Sequence, residues 1–102
     1  YTGAELMSYE ALGFCAPGES GPQLAAGIFN LGSELPTNPS GGLLGFGAPA
    51  GATGIAQAIE IFRQLQGTAD PRRQVPGARC GLAECHGGTA TIAVVHVFDR
   101  RD

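Results

Sequence analysis

Residues 41–67 read GGLLGFGAPAGATGIAQAIEIFRQLQG. The first fourteen hold six glycines, one proline and no charge, and they run directly into an amphipathic segment. Glycine loses more backbone freedom on folding than any other residue. Six of them before a helix therefore ask for a reason: close packing of backbone under a neighbouring layer, or a helix N-terminus whose unpaired amides a substrate approaches. Ile55, Ala58, Ile59, Phe62 and Leu65 recur at helical spacing, with Gln57, Glu60, Gln64 and Gln66 turned elsewhere, and Gly67 stands where a capping glycine belongs. The reading is a helix over 55–66. Neither phosphate signature is met: Gly45-Phe46-Gly47 is followed by Ala48, Pro49 and Ala50 before Gly51, and no G-x-x-x-x-G-K-[ST] occurs.

Downstream of that helix, GTADPRRQVPG at 67–77 reads as a turn-rich surface linker. A strand pair over 78–98 follows, with strands at about 78–84 and 91–98 joined by Cys85-His86-Gly87-Gly88. Alternation puts Ile92, Val94, His96 and Phe98 on one face and Ala93, Val95 and Val97 on the other, and both faces are largely apolar. That pattern belongs to a strand covered on two sides, which an isolated hairpin cannot supply for itself. Upstream, Thr2-Gly3-Ala4-Glu5 fits a capping box opening a helix within 1–13, with Gly13 as its stop. Residues 14–49 read as a loop region, with a short strand or helical turn around 24–31. So long a stretch without an extended element is uncommon in a compact domain unless it is functional or packs on something else.

The chain has 102 residues, a net charge of −3, 43% hydrophobic and 15% charged residues. A domain this small has abundant surface to cover with charge, so the apolar balance, with no methionine at Tyr1, suggests a piece of something larger. All six basic residues are arginines. The absence of lysine excludes a Schiff-base or P-loop lysine, and the acidic balance argues against a nucleic-acid partner held by a basic patch. No apolar run approaches the ~20 residues of a membrane helix, and a cytoplasmic location is expected. Three cysteines without regular spacing do not form a secreted disulfide pattern. Cys80 and Cys85 lie five apart on the expected strand, hence on opposite faces, and with His86 they lack an obvious fourth ligand. No metal is assigned. His96 reads as a hydrogen-bonded strand histidine and Cys15 as a small buried hydrophobe. Cys85 beside Gly87 and Gly88 is a minimal pairing of an acid/base group with amides that can stabilise an oxyanion.

NPSGGLLGFGAPAGATG at 38–54, the helix ending QLQG, and QVPGARCGLAECHGG at 74–88 together resemble the C-terminal portion of the thiolase family, in its sterol-carrier-protein-x and lipid-transfer subgroup. ELMSYEALGFCAPGESG at 5–21 is similar to the same subgroup, so the resemblance covers nearly the whole chain. It implies an α/β fold, part of the layered α-β-α-β-α thiolase-like arrangement and incomplete alone. It also implies roughly the last quarter of an acyl-CoA C-acyltransferase, inactive by itself, whose substrate is a coenzyme A thioester and which uses no further cofactor. Cys85-His86-Gly87 falls on the family's C-x-G, whose cysteine moves protons at the substrate α-carbon and whose glycine amide helps to form an oxyanion hole; His86 is a weaker candidate. Gly41, Gly42, Gly47, Ala48, Pro49 and Gly51 fall on the family's substrate-binding loop. There Ala48 replaces the histidine of Gly-His-Pro, and alanine neither accepts nor donates a proton. The implied partners are the remaining thiolase chain or a partner subunit, a second copy, and a small zinc-ribbon/OB-fold accessory protein. Two alternatives stay open: a thiolase-like retro-aldol lyase acting on steroid-type acyl-CoA, which the missing histidine favours, and a non-catalytic thiolase-like binding subunit.

Overall fold

A computed structural model describes residues 1–88 and 90–101; Thr89, inside the expected strand pair, and Asp102 lie outside the described residues. The chain forms two compact units, Tyr1–Thr37 and Asn38–Asp102.

In the first unit, helix α1 spans Thr2–Ala11 and α2 spans Ser20–Ala25. The expected capping box does not form: Tyr1, not Thr2, is the N-cap, and the Glu5 amide donates to the Tyr1 carbonyl at 3.0 Å. The Glu5 carboxylate does not reach back to the cap; it is engaged one turn on, accepting from the Tyr9 hydroxyl. Burial, reinforced by that carboxylate, pushes the Tyr9 phenol above its usual range. Tyr9 is buried and stacks on buried Phe29, ring centroids 4.1 Å apart, with Phe14 tilted against it at 6.4 Å. The first turn of α2 is held by Glu10 of α1, whose carboxylate accepts from the Ser20 hydroxyl at 2.6 Å and the Ser20 amide at 3.3 Å. The Ser20 hydroxyl bond, with one from the Gly18 backbone, holds the Glu10 carboxyl below its usual range. The region read as loop over 14–49 therefore contains a helix. Six residues including a glycine and a proline carry no periodicity to announce it, and Pro22 is tolerated because it lies in the first turn.

The second unit also corrects that loop reading, for α3 spans Leu43–Phe46 within the glycine-rich stretch. Gly42 (φ 62°, ψ −154°) and Gly47 (φ 75°, ψ 179°) bound it in a region that only glycine visits readily, so the helix is a single turn. Helix α4 spans Thr53–Gln66 and closes at Gly67 in the left-handed conformation, the Gly67 amide bonding to the Gln64 carbonyl and the Thr68 amide to that of Arg63. Strands β1, Cys80–Gly87, and β2, Ile92–Asp99, form a two-stranded antiparallel sheet with register from Cys80↔Asp99 to Gly87↔Ile92. Cys85 and His86 thus belong to the strand and not to a connecting loop, because the ladder continues through Val94 and Ala93 opposite them.

Helix α4 lies mainly over β1, on a face that keeps Ala58 and Leu65 of the row that periodicity selects but is rotated away from the rest of it. Gln64 and Leu65 are buried, whereas Ile55, Ile59 and Phe62 are exposed, Ile55 by 65%. The helix carries a second apolar row, Ala58, Ile61 and Leu65. Gly81 on β1 lets Ile61 approach so closely that a Cβ there would stand 2.6 Å from the Ile61 Cγ2. Glutamines serve this interface too. Gln64 donates to the Arg73 carbonyl at 2.9 Å and accepts from the Val75 amide at 2.8 Å and the Gln74 side chain at 3.1 Å. The segment read as a free surface linker is thereby tied to α4, with Ala69 buried and Arg73 paired to Glu60 at 3.2 Å. Strand β2, expected to be covered on both sides, is exposed in this chain at every residue but Phe98.

Candidate active site

Residues 81, 83 and 85 share one face of β1, and on that face Ile61 meets Gly81 and Ala83 is buried. Cys85 is half-buried, its Sγ 4.0 Å from where a Cβ on Gly54 would stand. The sulfur is therefore set against the first turn of α4, the positive end of that helix. The glycine-rich loop leads into the same turn: the Pro49 carbonyl accepts from the Ala52 amide and the Thr53 hydroxyl, both at 3.2 Å. A methyl group at residue 54 would stand in ordinary van der Waals contact with the sulfur. Loop, helix start and cysteine are thus built as one place in the chain.

The other sequence candidates separate around it. His86 lies on the opposite face of β1 from Cys85 by strand alternation, and its Nδ1 stands 3.1 and 3.3 Å from the two Glu84 carboxylate oxygens. That pair shares the second face of the strand and does not meet the Cys85 sulfur. Gly87 ends β1; its carbonyl accepts from the Thr91 amide at 3.2 Å and the Thr91 hydroxyl at 3.4 Å, so its backbone is turned into the hairpin. A Cβ at Gly87 would meet nothing within 4 Å. His96 pairs across the sheet with Ala83 on the Cys85 side, its ring 6.2 Å from Phe98. Cys80 is exposed and faces away from Cys85. In the first unit, desolvation and the carboxylates of Glu10 and Glu19 push the Cys15 thiol above its usual range, away from reactivity.

Of the loop residues, Gly41, Gly47, Ala48, Pro49 and Gly51 are exposed and Gly42 is partly so. Gly41, Gly42, Gly47 and Gly51 all have positive φ. The loop consequently offers backbone and small side chains, and Ala48 adds no titratable group.

Two contributors escape the sequence reading. Gln57 faces β1 and donates to the Glu84 carbonyl at 2.6 Å, and Gly54 stands beside the Cys85 sulfur. The signal for Gly54 was its place as the last of six glycines; for Gln57 there was none, since a polar residue between two apolar rows reads as solvent-facing.

Residues 1–100 match the family described as thiolase C-terminal domain-like. An acetyl-CoA acetyltransferase of Methanothermobacter thermautotrophicus is 46% identical over 95 residues, covering 93% of this chain and 24% of the relative. Human sterol carrier protein 2 is 43% identical over 93 residues, 90% of this chain and 17% of the relative. The benzoylsuccinyl-CoA thiolase subunit BbsB of Thauera aromatica is 34% identical over 88 residues, 86% of this chain and 23% of the relative. The chain thus spans about a quarter or less of the length of these relatives. With its helices, its two-stranded sheet and a match from the first residue almost to the last, it is an α/β portion of that fold, and it belongs to the thiolase C-terminal domain-like family.

Proposed function

We propose that this chain is the C-terminal portion of a thiolase-like acyl-CoA C-acyltransferase, acting in thiolytic cleavage of a 3-ketoacyl-CoA or the reverse Claisen condensation, and that Cys85 moves the proton at the substrate α-carbon. The observation that carries the reading is the seat of the Cys85 sulfur against Gly54, where the glycine-rich loop enters α4. In condensation, Cys85 as base takes the α-proton and leaves the electron pair on the α-carbon; in cleavage it returns a proton to that carbon as the C–C bond breaks. The positive helix end beside the sulfur stabilises negative charge there. Relatives named for acetyl-CoA and benzoylsuccinyl-CoA support a coenzyme A thioester as substrate, with no resident cofactor in the reaction. The acyl-accepting nucleophile and the other side chains of the site belong, in this reading, to the remainder of the protein or a partner subunit. A zinc-ribbon/OB-fold accessory protein and a cytoplasmic location stay with it as proposals; no helix among the described residues is long and apolar enough to cross a membrane.

The test is Cys85→Ala in the complete protein, assayed for thiolysis with free CoA. Turnover is expected to fall by about 10²–10⁴-fold, the range of a positioned acid/base group; unchanged turnover refutes the assignment. The Gly87 amide as oxyanion donor is the second element; it stands at the last pair of the β1–β2 ladder, so in this reading that end pair opens when the amide donates to substrate. Because a methyl group at residue 87 meets nothing in this chain, Gly87→Ala should leave stability unaltered while misplacing the substrate, at a cost of up to about 10²-fold in kcat. Wild-type kinetics in that variant would remove Gly87 from the site.

Ala48 favours one other reading, a retro-aldol lyase on a steroid-type acyl-CoA, because the loop lacks an imidazole at this position. A lyase releases an aldehyde or ketone without consuming CoA, so product formation in CoA-free buffer decides between the two.

A further inference from the structure

Backbone groups in an antiparallel pair alternate between the partner strand and the outer edge. The Arg100 amide bonds to the Arg79 carbonyl at 2.9 Å, which sets the phase. Residues 81, 83, 85 and 87 direct their amides and carbonyls toward β2, and residues 82, 84 and 86 direct theirs outward. The Glu84 carbonyl is therefore an acceptor on the open edge of β1, and the Gln57 side-chain amide fills it at 2.6 Å. Cys85, the next residue, is bracketed by that bond on one side of the strand, by its ladder partner Val94 on the other, and by Gly54 over its sulfur. Gln57 and Gly54 lie three residues apart on the same helix, so one rigid element holds both the strand backbone and the space above the thiol.

We propose that Gln57 is a positioning residue for Cys85: its bond to the Glu84 carbonyl sets the distance between β1 and the first turn of α4, and so the placement of the sulfur. The consequence for turnover rests on the acyltransferase reading above; the placement of the thiol does not. Gln64 provides the internal comparison, since it ties α4 to the Arg73 carbonyl and the Val75 amide, away from Cys85. Loss of a purely structural link would act alike at both positions, whereas loss of a positioning bond acts on Cys85 only from residue 57.

The experiment uses the complete protein with Gln57→Met, which keeps length and removes the donor, Gln57→Lys, which restores a donor of similar reach, and Gln64→Met as comparison. Two readouts are taken: kcat and KM for the acyl-CoA reaction, and the rate of Cys85 alkylation by iodoacetamide, followed by peptide mass spectrometry with exposed Cys80 as reference. In Gln57→Met, kcat should fall about tenfold with KM within about twofold, and Cys85 alkylation should rise at least about threefold relative to Cys80, as the half-buried thiol loosens from the helix. Gln57→Lys should bring both values back toward the parent, and Gln64→Met should lower the melting temperature without changing the Cys85-to-Cys80 ratio. An unchanged or lower Cys85 ratio in Gln57→Met, or an equal rise in Gln64→Met, overturns the proposal. A raised ratio together with full turnover in Cys85→Ala upholds the positioning and sinks the acid/base assignment of Cys85 alone.

Discussion

The two units are held together by different chemistry. The first encloses an aromatic centre in which Tyr9 and Phe29 stack face to face, both almost fully buried. Among its described residues the second buries only small or medium apolar side chains, Leu65, Ala69 and Ala83, and supplements them with glutamine side chains that bond to backbone. Aromatic burial is non-directional and tolerates small shifts, whereas an amide bridging helix and strand fixes a distance. The unit containing the candidate cysteine is thus built for placement more than for burial, and it leaves Ile55, Ile59, Phe62, Ile92, Val94, Val95 and Val97 exposed.

The contrast is open to attack in three places, in falling order of effect. Phe29→Ala removes the larger part of the aromatic stack and should destabilise the complete protein by about 3–5 kcal/mol, with a transition in the first unit separate from the rest. A loss under about 1 kcal/mol in chemical denaturation would show that the stack is not the centre of that unit. Gly81→Ala tests the other side: the added methyl meets the Ile61 Cγ2 at 2.6 Å, and a β-branched side chain on a helix has little freedom to turn away. The expected cost is about 1–3 kcal/mol, with Cys85 displaced from Gly54, visible as altered thiol reactivity. The smallest effect belongs to Asp70. Arg72 bonds its carboxylate from both backbone and side chain, the side-chain pair at 2.9 Å, and holds the Asp70 carboxyl well below the usual carboxylate range. A depressed native pKa contributes stability above the unfolded value of about 3.9 and loses it as pH falls through the native value. Asp70→Asn should therefore lower the melting temperature slightly at neutral pH and leave it unaltered in strong acid; a larger difference at low pH would reverse the assignment. The pair is exposed and screened, so the neutral-pH difference is small.

Much of this was legible in residue order. Gly67 and Gly13 stop their helices where a left-handed residue is required, and alternation along 92–98 assigns the β2 faces as the register has them. What was hidden depended on the partner of each element. Helix α4 carries two apolar rows at helical spacing, and only Gly81, distant in sequence, decides that Ile61 and not Ile59 faces the sheet. Gly87 and Gly88 suggested a loop beginning at Cys85, but a strand ends where pairing ends, and pairing persists because Val94 and Ala93 continue opposite. The role of Gln57 required the phase of the ladder, which composition does not carry. For the candidate site, residue type and spacing marked Cys85 and Gly87; the face on which His86 falls and its bond to Glu84 emerged from the register.

The tie between α4 and the 73–75 segment also bears on the order of assembly. The partners of α4 in this unit follow it within the next few dozen residues, so the helix and hairpin close a short loop, which costs little chain entropy and proceeds fast. The bare β2 strand, with its unpaired outer edge and apolar faces, is then presented as a finished ribbon before anything more distant arrives to cover it. A preformed open edge is a template for pairing with the wrong chain, so for as long as this hairpin stands uncovered it is a site at which aggregation can begin.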